Sequence, residues 1–547
     1  MKAKTKTIAA GLLIATGIFY FSFNDPGDKY FQIAKNLDIF ATLYKEVNQF
    51  YVDDINPGQL MNIGINSMLM SLDPYTNYYP EEEIEDYRTM TTNEYAGVGM
   101  LVGMHDDKNI VIMPHKGFSA ATAGIMIGDE LVAVNDINVQ GKNTDEISQL
   151  LKGQVNSDVK LSVKRFGESA PLDFMLKREK VTIPNVPFYG MVNEEVGYIK
   201  LSDFTTNASK EVKEALTELK EQGAKKLILD LRDNPGGLLS EAVNISNLFL
   251  PKGAEIVSTK GKIDDWNKTY YGLNQSVDLN IPIAVLTSGR SASASEIVAG
   301  AIQDYDRGIL VGQKTFGKGL VQATRPLSYN SQLKITTAKY YIPSGRCIQA
   351  IDYADNQAVK LPDSLKVAFT TRNGRVVYDG AGIDPDVPVI QEEMPSVILG
   401  LEEQNMIFNF ATEYQQNLPV ITSPEYFEVT DKIYDDFIEW LNVSEFDYVT
   451  RMESSIQILE SIAKEEQYYT GVKGELDLLT KKVMHNKDQD LQNFKSDIKK
   501  LLKVELVSRQ LFAEGQIRAS FKNDEDVQMA LNVLKETSRY NSILKQQ

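Results

Sequence analysis

The stretch Ile281-Pro282-Ile283-Ala284-Val285-Leu286-Thr287-Ser288-Gly289-Arg290-Ser291-Ala292-Ser293-Ala294-Ser295-Glu296 carries the reading of the chain. Its first six residues are uncharged and apolar, the pattern of a strand buried on both faces. Three serines alternating with alanines follow, and 293–305 then reads as a helix. The same order occurs upstream. Leu227-Ile228-Leu229-Asp230-Leu231 is a strand, Asp233-Asn234-Pro235-Gly236-Gly237 a turn, and 238–250 a helix. With a further strand at 196–201, a helix at 210–221 and strands again beyond Lys334, residues 181–394 read as an α/β core.

Outward from that core the texture changes. Residues 92–180 are short strands and glycine turns, with Gly97-Val98-Gly99-Met100 running into a strand and a short helix at 145–151. Residues 29–91 keep a helical spacing of apolar side chains, as does 395–547. In that last region Leu491, Phe494, Ile498, Leu501 and Leu502 mark an apolar face, and Lys499, Lys500 and Lys503 are expected on a solvated one. At the N-terminus Lys2, Lys4 and Lys6 precede a charge-free run, 8–23, before the chain turns polar. That is the layout of a secretory leader, and 1–28 is expected to be a signal peptide or a membrane anchor.

At 547 residues the chain is too long for one core. Its net charge of −18 disfavours nucleic acid and anionic membrane surfaces as partners. One cysteine, Cys347, permits neither an intrachain disulfide nor a cysteine-based zinc site.

Both strand–turn–helix junctions can carry chemistry. The Pro235-Gly236-Gly237 turn leaves backbone N–H groups free at a helix start, where they can hold an oxyanion, although such a turn also serves simply to reverse the chain. A serine at a helix N-terminus feels a positive dipole that favours an alkoxide, although serine also caps helices there. A serine nucleophile needs a base, and the only histidines are His105, His115 and His485, all distant in sequence. Lys318, in Thr315-Phe316-Gly317-Lys318-Gly319, is the alternative if burial lowers its pKa.

With those residues in place, the run from Ser291 to Gln322 resembles the active-site stretch of the carboxyl-terminal processing peptidases, tail-specific serine proteases. Tyr340-Tyr341-Ile342-Pro343-Ser344-Gly345-Arg346 and Gly382-Ile383-Asp384-Pro385-Asp386-Val387 resemble signatures of the same family, and 92–180 resembles its PDZ domain. The resemblance covers roughly 30–395. It implies a crotonase- or Clp-protease-like core, with Ser293 as nucleophile, Lys318 as base and Gln322 orienting the lysine. Oxyanion donors would be Ala294 and one of Gly236 and Gly237, with Gly236 favoured. The amides of Gly97, Val98, Gly99 and Met100 would take the carboxylate of a protein or peptide with an apolar C-terminus. Arg178 resembles a residue that relays PDZ occupancy to the core, although a surface arginine is the commoner meaning of such a position.

The resemblance implies no metal or organic cofactor, and with the leader it implies action in the periplasm or cell envelope. Two other readings stay open: a catalytically inactive PDZ scaffold and a crotonase-like acyl-CoA enzyme. Leader cleavage, a homo-oligomer or adaptor, and the role of 395–547 are likewise open.

Overall fold

The structure, a computed structural model, describes residues 26–353, 358–360, 362–391 and 393–545. The leader expected at 8–23 lies outside the described residues. Among the described residues no helix is long and apolar enough to cross a membrane.

The chain divides into two compact units, one ending at Tyr78 and the other beginning at Tyr79. In the first, helices Pro26–Phe50 and Pro57–Met70 are tied by the Tyr44 hydroxyl, which donates to the Pro57 carbonyl at 2.6 Å. Asn56 caps the second helix through the Gln59 amide. The helix Ile84–Thr92, read from sequence with this region, falls in the second unit.

The second unit is built on a six-stranded sheet. Its order is Phe188–Met191, Val196–Lys200, Lys226–Asp230, Ile283–Thr287, Ile309–Gly312, Val387–Pro388. The first pair is antiparallel and every later pair parallel. Alternate side chains of each strand enter different cores. Leu227, Leu229, Ile283 and Val285 pack with the helices Ala208–Glu221, Leu239–Phe249 and Ala294–Asp304. Ile228, Ala284, Leu286 and Val311 face the other way, onto Val527, Ala530, Val533 and Leu534 of the helix Glu525–Lys535. The C-terminal extension therefore supplies the layer that covers one face of the sheet.

An ionic cluster fixes that layer at a strand end. The Arg232 guanidinium reaches Asp230 at 2.6 Å, Asp524 at 2.8 Å and Asp526 at 3.0 Å. Burial pushes the Asp230 carboxyl up, but Arg232 and Lys200 beside it outweigh that and hold it at about 2.

Residues 100–177 form a second sheet, ordered Met100–His105, Lys108–Pro114, Glu130–Val134, Asp158–Lys164, Leu172–Lys177. The helix Thr144–Leu151 opens with an Asn143/Glu146 capping box and packs its Ile147 and Leu151 into the core of this sheet. The domain also rests on the helical extension. The His105 and Phe408 rings lie 4.7 Å apart, and Gly128 fits against Thr412 so closely that a Cβ there would fall 2.3 Å from the threonine methyl.

One surface expectation fails. Lys503 is buried, not solvated: its ammonium donates to the Glu425 carbonyl at 3.0 Å and lies 3.6 Å from Glu428. Its aliphatic stem shares the helix interface while the head finds oxygen, which the charge pattern of the helix does not reveal.

Candidate active site

Three neighbouring parallel strands explain why distant stretches meet. Lys226–Asp230, Ile283–Thr287 and Ile309–Gly312 lie side by side, about 4.8 Å apart as strands do. Their carboxyl ends release the Asp233–Gly237 turn, the serine run and the Lys318 loop into one crevice, the usual ligand position in open α/β sheets. Asn234 stitches the first two: its carbonyl accepts the Ala292 amide at 3.0 Å and the Ser295 hydroxyl at 2.9 Å. Ser291 donates its hydroxyl to the Leu231 carbonyl at 2.7 Å.

Ser293, Ala294, Gly236, Gly237, Lys318 and Gln322 all line one cleft of about 650 Å³. Ser291 and Ser295 are spent on loop contacts, so Ser293 is the serine of the run that reaches the cleft. It stands at the N-cap of the helix Ala294–Asp304 with φ 55° and ψ −112°. A positive φ at a non-glycine residue costs of order 1–3 kcal/mol and persists only where the surroundings enforce it. Here the Tyr340 hydroxyl donates to the Ser293 carbonyl at 3.1 Å.

The glycine pair is required sterically. Gly236 has φ 103°, and a Cβ there would lie 2.8 Å from the Ala292 oxygen, the Ala294 nitrogen and the Ser293 Cβ. Its N–H donates to Asn234 Oδ1 at 2.9 Å. Among the described residues, the amides of Gly237 and Ala294 have no acceptor. The donor favoured from sequence, Gly236, is thus already engaged, and Gly237 is the one with capacity to spare.

Glu296 does much more than place a favourable charge in the first helical turn. It has no solvent exposure. Oε2 accepts the amides of Ser293 at 2.8 Å and Lys318 at 2.9 Å, while Oε1 accepts the Gly317 amide at 2.7 Å and the Thr315 hydroxyl at 2.6 Å. One carboxylate therefore ties the serine turn to the lysine loop. Burial pushes its carboxyl up to about 7, against the four donors that pull it down. Nothing in the local sequence distinguishes this from an ordinary N-terminal helix acid.

Gln322 donates to Thr336 Oγ1 at 3.2 Å from the adjacent strand of the hairpin Leu320–Pro326 and Gln332–Tyr341. None of the three histidines reaches this cleft. His105 meets Phe408, His115 lines another groove, and His485 pairs with Glu453 at 2.8 Å.

That other groove, about 400 Å³, lies between the strand Met100–His105 and the helix Thr144–Leu151. Val98 and Met100 line it. Gly97 instead pairs with Glu179 in a small ladder, and Gly99, at φ 73°, packs on Phe118. Burial pushes the phenol of Tyr95, which lines the same groove, up to about 12. Arg178 is not the surface residue its sequence context makes commonest. Only 8% exposed, it donates to the carbonyls of Leu150 at 2.9 Å and Leu151 at 3.0 Å, closing the end of the groove helix.

Comparison with known proteins agrees with this layout. Residues 195–359 match peptidase family S41, 111–165 a PDZ domain, and 397–534 the C-terminal helical domain of a probable PDZ-protease. The chain is thus a serine-type peptidase carrying a PDZ domain. A carboxy-terminal-processing protease of Bartonella bacilliformis is 36% identical over 62% of this chain and 77% of its own length. A "Probable CtpA-like serine protease" of Staphylococcus aureus is 33% identical over 69% of this chain and 75% of its own. The chain belongs to the carboxy-terminal-processing protease family, within peptidase family S41. A solved photosystem II D1 C-terminal processing protease is 27% identical, covering 65% of this chain and 93% of its own, with a TM-score of 0.36.

Proposed function

We propose that the protein is an endopeptidase that works by a Ser293–Lys318 dyad and selects substrates by their C-termini through the PDZ domain. The observation that carries the reading is the convergence of Ser293, Lys318 and the two acceptor-free amides of Gly237 and Ala294 in one cleft, with no histidine there.

Lys318, as the neutral amine, takes the Ser293 hydroxyl proton while Oγ bonds to the scissile carbonyl carbon. The carbonyl oxygen becomes an anion received by the Gly237 and Ala294 amides, with the positive end of the helix Ala294–Asp304 behind them. The C–N bond then breaks, Lys318 returns its proton to the leaving amine, and a Ser293 ester remains. Water, deprotonated by Lys318, cleaves that ester and frees the serine. The peptide's last residue sits in the groove lined by Val98, Met100 and Leu151. The basic, then apolar, leader supports action outside the cytoplasm.

The test compares wild type, Ser293→Ala and Lys318→Ala on an unfolded protein ending in apolar or in charged residues. Cleavage by wild type only, faster on the apolar tail, is the expected result. Turnover retained by either variant refutes the dyad, and indifference to the tail refutes the selection.

A further inference from the structure

Among the described residues, the cleft is lined by one cation that the proposed chemistry does not use. Lys334 lies on the strand Gln332–Tyr341 and lines the same cavity as Ser293. Its strand faces explain the placement. Lys334 and Thr336 share one side of the strand, opposite Thr324 and Gln322; a bulge at Thr337 then resets the alternation, and Tyr340 further along the strand reaches Ser293. At about 3.4 Å per residue, Lys334 stands roughly 20 Å along the strand from Tyr340. That separation places Lys334 several residues of extended peptide from Tyr340 and the Ser293 carbonyl it holds.

The Lys334 ammonium makes no hydrogen bond and no ion pair among the described residues. The neighbouring strand places Thr324 opposite it, and the Thr324 hydroxyl is already bonded to Tyr87. The acid of the cleft, Asp203, sits with Asn93 and is not among the groups that act on Lys334. Burial in the cleft wall lowers the lysine's pKa, with no anion to restore it. A half-buried ammonium without a counter-charge is held at a cost, and an incoming anion recovers it.

We infer that Lys334 is a specificity-determining residue, the cationic floor of a substrate subsite that receives a carboxylate of the polypeptide being cleaved. The inference rests on the cleft being the proteolytic site. Two sources share this chemistry: an acidic side chain several residues from the scissile bond, and a free α-carboxylate at a chain end. An extended peptide lying along the hairpin presents either one to the ammonium, and the contact adds selectivity separate from the PDZ groove.

The experiment uses the full-length protein and fluorogenic peptides that differ only by Glu, Gln or Lys at each of five positions on either side of the cut. Each peptide is prepared as the free acid and as the C-terminal amide. Wild type is expected to prefer Glu to Gln by about tenfold in kcat/KM at one position, or the free acid to the amide by a similar factor. In Lys334→Met, which keeps the apolar stem, that ratio falls to one. In Lys334→Glu it reverses toward Lys. A Glu/Gln preference lost in Lys334→Met assigns the acidic side chain, and an acid/amide preference lost assigns the chain end. A ratio of one throughout in wild type, or a preference that survives Lys334→Met, overturns the inference. Binding of the same peptides to Ser293→Ala and to Ser293→Ala/Lys334→Met separates it from catalysis. A charge preference that Lys334→Met abolishes in binding stands even where no peptide is cleaved, and the absence of cleavage by wild type then counts against the dyad alone.

Discussion

Replacing Glu296 by glutamine is the sharpest perturbation of this site. Glutamine keeps the shape of glutamate but offers one acceptor oxygen in place of two, and turns an NH₂ toward the other pair of donors. Of the four groups that Glu296 gathers, either the Ser293 and Lys318 amides or the Gly317 amide and Thr315 hydroxyl then lose their acceptor. A hydrogen bond to a charged partner is worth roughly 1.5–3 kcal/mol, so two lost bonds remove about 3–6 kcal/mol. The loss divides between the fold and the alignment of the serine turn with the lysine loop. If half falls on alignment, kcat drops about 10- to 100-fold, at 1.36 kcal/mol per decade. The assay is steady-state cleavage of an unfolded protein with melting followed in parallel. KM is expected to stay within about twofold while kcat and Tm both fall, since Glu296 is buried behind the cleft and touches no substrate. Wild-type kcat with a lowered Tm would show that the carboxylate holds the fold without aligning the reacting groups, and would refute the reasoning.

Three further outcomes follow. Because burial raises the Glu296 carboxyl from 4.5 to about 7, the folded chain binds a proton that the unfolded chain has released between those values. Its contribution to stability is therefore full below about pH 4.5 and is lost as pH rises through about 7, by about 3 kcal/mol; urea melts of wild type minus Glu296→Gln across this range measure it. Gly236→Ala forces a Cβ to 2.8 Å from the Ser293 Cβ and the Ala294 nitrogen, and is expected to lower kcat about 100-fold with the circular dichroism spectrum unchanged. Ala530→Asp places an unpaired carboxylate against the sheet face under the C-terminal helix and should cost about 3 kcal/mol or more in guanidinium melts, with the midpoint unmoved if that layer is dispensable.

The two junctions were legible because their information is local. A continuous apolar run such as 281–286 has no polar side to expose, and Gly236 and Gly237 sit where the chain reverses at a helix start. Lys318 stood out for its flanking glycines and for the lack of a nearby histidine. Which glycine of the turn keeps a free amide was not legible to the residue. Gly236 and Gly237 have the same chemistry in sequence, and the choice between them depends on where Asn234 Oδ1 points. Lys503 is expected to be solvated because charge usually is, and a surface position is the commoner alternative to the relay role that the resemblance implies for Arg178; both side chains are buried with backbone carbonyls as partners.

The sequence by itself determined the kinds of element, the bends between them and the residues able to act as nucleophile and base. These depend on periodicity, glycine freedom and side-chain chemistry, which are properties of short segments. Only the tertiary structure decided which strand ends lie together, that Glu296 bridges the serine turn and the lysine loop, that residues 521–540 cover the sheet, and that Lys334 stands in the cleft without an anion. Each of these depends on pairing between segments far apart in the chain. Burial can be read from a segment's own pattern, but the partner that satisfies the burial cannot.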